Sequence, residues 1–103
     1  MTTLPLPPLV GTRKRAHTLA DLLPGDLAGL EVTVDCRELV AATESFADEL
    51  ITVVVVERNA KKMYFKNVGD FDFANWVDAR AAAHKVSGRV SVDRGIVDRK
   101  AQR

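Results

Sequence analysis

Ser45-Phe46-Ala47-Asp48-Glu49-Leu50-Ile51-Thr52-Val53-Val54-Val55-Val56-Glu57-Arg58 decides the fold of this chain. Ile51 to Val56 are β-branched throughout, and by propensity such a run favours a strand. Two features oppose that reading. No turn signal separates Glu49 from Ile51, and a strand parallel to an earlier one needs a crossover, usually a helix. Ser45 followed by Asp48 has the form of a capping box, with Asp in place of the usual Glu or Gln. Phe46, Ala47, Leu50 and Val54 then fall on one helical face. The stretch is expected to be a helix over 45–58, buried on most of its faces.

The flanks supply what such a crossover would join. Upstream, Leu30, Val32 and Val34 alternate with Glu31, Thr33 and Asp35, which predicts a strand over 30–35. Downstream, Lys62-Met63-Tyr64-Phe65-Lys66-Asn67-Val68 reads as a second strand. Before the first strand, Ala16, Leu19, Ala20, Leu22 and Leu23 recur at helical spacing, with Thr12 as cap and Pro24-Gly25 as stop. After the second strand, Asp70 or Asp72 can cap a last helix through Phe73, Trp76, Val77, Ala79, Ala83 and Val86, ended by Ser87-Gly88.

Pro5, Pro7 and Pro8 mark residues 1–8 as a flexible leader, with Leu9-Val10 as a very short edge strand. Residues 88–103 read as a basic, disordered tail, although Val90 and Val92 fit a short strand. The domain proper is expected over 9–87. The order helix, strand, helix, strand, helix predicts an α/β fold, a small mostly parallel sheet backed by helices. A narrow sheet has an exposed edge, and a homodimer is one way to cover it.

Composition narrows the class. A chain of 103 residues, 47% apolar and 28% charged, is one ordinary globular domain. Its net charge of +1 selects no partner by itself. The distribution is uneven, however: residues 26–59 carry eight acids against two bases, and residues 85–103 six bases against two acids. That division suits either oriented contacts with a partner or solvated faces. A single cysteine, Cys36, excludes an internal disulfide, and Met1 to Leu9 has no apolar signal core. No apolar run is long enough for a bilayer, so a cytoplasmic protein with no membrane association is expected.

With these elements placed, the chain resembles the STAS-like domain family, relatives of the anti-sigma-factor antagonists. The matching residues are Gly11-Thr12-Arg13, Val34-Asp35 and, above all, Ser45-Phe46-Ala47-Asp48-Glu49-Leu50, within residues 10–84. The resemblance implies a non-enzymatic regulatory module. Its protein partner would be an anti-sigma factor or a histidine-kinase-like (GHKL-type) ATPase, with no cofactor. The antagonists place a phosphorylatable serine at the start of the helix after this strand, which here corresponds to Ser45.

Ser45 thus has two readings: a regulatory phosphosite, or a plain N-cap contributing about 1 kcal/mol. Thr43, Ser45, Asp48 and Glu49 form the expected partner-binding surface, together with the loop 36–42. Asp48 and Glu49 are neighbours on a helix and should point apart, with Asp48 in the cap and Glu49 solvated. That spacing, and the absence of any Ser/His/Asp order or Gly-rich phosphate loop, argue against an enzyme. His17 and His84 stand far apart in the sequence, so no metal site is expected. Cys36 lies among acids and reads as a small buried filler. Arg13-Lys14-Arg15 and the basic tail support an alternative, a small nucleic-acid-associated accessory protein, with nucleic acid the less favoured partner.

Overall fold

The computed structural model describes residues 2–93. Nine short elements follow one another: β1 (Thr2–Pro5), α1 (Arg13–Ala20), β2 (Glu31–Asp35), α2 (Glu44–Ile51), a π-helical segment (Thr52–Glu57), β3 (Lys62–Lys66), α3 (Phe71–Ala83), a 3-10 turn (Ser87–Arg89) and β4 (Val90–Val92). The four strands form one all-parallel sheet in the order β1-β2-β3-β4. The fold is α/β, with helices backing a small parallel sheet.

Because each strand is laid beside the last in one direction, right-handed crossovers carry all helices to the same face. Accordingly α2 packs against both α1 and α3. The core lies between the two layers. Val32, Val34, Met63 and Phe65 point into it from the central strands, against Phe46, Leu50, Ile51, Phe73 and Val77 from the helices. The Phe65 and Phe73 rings meet edge to face, with centroids 5.9 Å apart.

Residues 51–57 are helical, as the missing turn and the needed crossover require. The ladder nevertheless widens after Ile51, where Arg58 N–H donates to Val53 O at 2.9 Å, five residues back. Val53, Val54 and Val55 are successive and all fully buried. A π turn holds more residues than an α turn, so successive side chains span a smaller arc. This lets three neighbouring valines share one buried sector, at the cost of the regular ladder. Packing against the sheet thereby overrides the strand propensity of the run.

Five sequence expectations are corrected. The flexible leader expected over 1–8 is corrected for its described residues, 2–8: Thr2–Pro5 pairs in register with Val32–Asp35, and Leu4 and Leu6 are buried. The prolines suit an extended edge strand, where one side needs no donor. Leu9 forms only an isolated bridge, to Ala41. At the other end, Val90–Val92 pairs with Met63–Phe65, so the domain runs past residue 87. The rest of the expected tail, 94–103, lies outside the described residues. The sheet is therefore four strands wide, not two. Finally, α3 ends at Ala83, short of Ser87-Gly88, and Lys85 follows with φ of 61°.

Candidate functional site

Helices that return antiparallel to parallel strands begin at the carboxyl edge of the sheet. Here three side chains cap those beginnings: Thr12, Thr43 and Asp70. The cap of α2 is Thr43, not Ser45. Its Oγ1 accepts from Phe46 N–H at 3.2 Å and donates to Gly11 O at 2.9 Å, so one hydroxyl ties α2 to the loop before α1. Ser45 sits inside the first turn, exposed, and its hydroxyl has no partner among the described residues.

Around Thr43 the surface is apolar. Leu9, Val10, Gly11, Ala41, Ala42 and Thr43 line a shallow groove of about 230 Å³. Leu9 and Val40 stand on its two adjoining segments and are 68% and 70% exposed. These segments are held together by backbone bonds from Val40 and Ala41 N–H to Pro8 O, and from Val10 N–H to Ala41 O. Two large aliphatic side chains thus stand in water on segments whose backbones are tied together.

Asp48 and Glu49 are placed otherwise than expected. Neither belongs to the cap. Arg13 Nη1 reaches from α1 to Asp48 Oδ2 at 2.7 Å and to Glu49 Oε1 at 3.1 Å, so the two carboxylates share one guanidinium despite their adjacency. His17 Nε2 lies 2.5 Å from Glu49 Oε2. From the other side, His84 Nε2 lies 2.7 Å from Asp48 Oδ1 and 3.1 Å from Thr52 Oγ1. Thr52 already donates to Asp48 O at 2.8 Å, so its hydroxyl accepts from His84, and His84 Nε2 carries a proton. Arg80 adds ion pairs to Glu44 at 3.6 Å and Asp48 at 3.7 Å.

The two histidines, remote in sequence, therefore flank one strip of α2. Burial by itself pushes the Asp48 carboxyl up, but hydrogen bonds and charge from Arg13 and His84 hold it below its ordinary value. The side chains of Asp48 and Glu49 are only 13% and 17% exposed. They clamp three helices and offer little to a partner. Arg13, His17, Arg80 and His84 were not singled out as members of a shared site. The signal was present: Arg13/His17, Asp48/Thr52 and Arg80/His84 are each four apart, one polar pair per helix.

At the end of β2, Asp35 accepts from Asn67 Nδ2 at 3.1 Å and from Arg37 N–H at 3.0 Å, and these bonds hold its carboxyl below the usual range. Cys36 is buried, and desolvation, with the Asp35 charge second, pushes its thiol up to about 12. The filler reading agrees with that placement. Arg13 of the basic cluster is committed to carboxylates, which reduces what α1 can offer to phosphates. Among the described residues no cluster of His, Cys, Asp and Glu has the arrangement of a metal site, and no helix is long and apolar enough to cross a membrane. Comparison with protein-family models, with curated proteins and with solved structures finds no match.

Proposed function

We propose that this chain is a non-enzymatic regulatory interaction module that docks a protein partner at the amino end of α2. The observation that carries the reading is the apolar groove at the start of α2, lined by exposed Leu9 and by Thr43 and preceded by exposed Val40, with exposed, unpartnered Ser45 two residues after Thr43. Contiguous exposed aliphatic surface with a polar margin suits a protein contact. Thr43 and Ser45 supply that margin, while Asp48 and Glu49 hold α2 rigid behind it. The resemblance to STAS-like domains supports the same face and points to a histidine-kinase-like ATPase or an anti-sigma factor as partner. A phosphate on Ser45 would meet the positive end of α2 and, against it, the negative charge of Glu44.

The test is capture from the native host with wild-type protein and three surface variants, Leu9→Asp, Val40→Asp and Ser45→Asp. A partner should be retained by the wild type and by a Lys61→Glu control, and lost from the first two variants. Ser45→Asp should weaken it if phosphorylation is the switch. The same captured proteins on all five baits would refute the face, and an unmodified mass for the protein purified from its host under all growth conditions would refute the phosphosite.

A further inference from the structure

Helices cover one face of the sheet only. On the other, strand register sets side chains in rows across the four strands. Thr3, Thr33, Tyr64 and Ser91 make the middle row, Glu31 and Lys62 the row at one end, and Pro5, Asp35 and Lys66 the row at the other. The two central strands thus carry acids on β2 and bases on β3, at both ends. Among the described residues the side chains of Glu31 and Lys66 make no hydrogen bond or ion pair within the chain. Lys62 Nζ donates to Gly88 O at 3.2 Å, Asp35 Oδ1 accepts from Asn67 Nδ2 and Arg37 N–H, and Asp35 Oδ2 keeps only a long, exposed ion pair with Arg37 Nη2 at 3.8 Å. The four charges sum to zero, so the face matches no partner of a single sign.

We propose that a second copy of this chain docks here, sheet on sheet, about a two-fold axis running along the strands. That axis lays β2 of one copy over β3 of the other. Glu31 then faces Lys62 of the second copy, Asp35 faces its Lys66, and Thr33 faces its Tyr64, each contact made twice. The alternative axis, across the strands, sets Glu31 against Asp35 and Lys62 against Lys66, four like-charge encounters. The charge pattern therefore selects one of the two face-to-face arrangements. Sheets pack with their strands turned by about 30°, which displaces residues about 6–7 Å from the centre by only about 3 Å, within reach of glutamate and lysine. A face four strands wide and five residues long is about 19 by 16 Å, well below the usual area per partner. The dimer is consequently expected at the weak, transient end of protein contacts.

Sedimentation equilibrium at low salt, from about 10 µM to about 1 mM, tests the proposal. The wild-type average mass should rise toward twice the protomer. Glu31→Lys makes the first row all basic and Lys62→Glu makes it all acidic, so each alone should associate at least tenfold more weakly. An equimolar mixture of the two should regain the dimer, because every encounter is again between opposite charges. Asp35→Lys and Lys66→Glu, at the other end, provide an independent pair should a first variant fail to fold. A protomer mass throughout, single variants that associate like the wild type, or folded variants whose mixture stays monomeric would each overturn the proposal.

Discussion

His84 Nε2 stands 2.7 Å from Asp48 Oδ1, and this contact joins the residue that caps the end of α3 to the middle of α2 across 36 residues of chain. With Arg13 on the far side of Asp48, one carboxylate holds all three helices. Removing its charge leaves several donors short of an acceptor.

Asp48→Asn should therefore destabilise the domain by about 1–3 kcal/mol at pH 7. The pH dependence has a defined sign. The folded carboxyl titrates below its unfolded value near 4, so its contribution is complete above that pH and disappears as pH falls through the folded value. Urea unfolding between pH 2 and 7 should show an acid limb in the wild type that is flatter in the variant. Equal slopes would contradict the clamp.

Thr43→Ala should cost about 1–2 kcal/mol, because it removes both the cap of α2 and the tie to Gly11. Ser45→Ala should stay within about 0.5 kcal/mol, as expected for an exposed side chain with no partner. Denaturation midpoints at constant m decide between the two residues, and a larger cost at Ser45 would reverse the cap assignment.

Cys36 should resist alkylation in the native state. With its thiol pushed up to about 12 and its side chain buried, thiolate at pH 8 is scarce and sheltered. Labelling by iodoacetamide should run at least about a thousandfold faster in denaturing urea than in buffer. Comparable rates in the two would show that the loop after β2 opens readily.

Arg58 closes the far end of α1. Its guanidinium donates to Ala20 O at 2.7 Å and to Asp21 Oδ1 at 2.8 Å, and the side chain is 17% exposed. Arg58→Ala should lower stability by about 1–2 kcal/mol, and Arg58→Lys should restore only part of it, since an ammonium lacks the planar fork. Full rescue by lysine would reduce the contact to simple charge.

How far the sequence discloses this fold depends on the residue. The alternation at Val32 and Val34, the Met63/Phe65 pair and the helical spacing around Phe46 and Leu50 announce the central elements, since each carries its own periodicity. β1 and β4 have four and three residues, too few for a period to show, and their place is set by the neighbour already present. Ser45 lies two residues past the true cap, and because Thr43 and Ser45 are both good caps only the bond to Gly11, across 32 residues, selects Thr43. The carboxylate clamp needs three helices in register, a relation no local window contains.

The strand order has a kinetic consequence. Every strand pairs only with its predecessor and successor, so each strand–helix–strand unit joins segments that are near in sequence. Loop closure is then short at every step, and a nucleus formed at β2 and β3 can grow outward one unit at a time toward either edge. Such a chain can assemble as it leaves the ribosome, without waiting for its distal end to arrive.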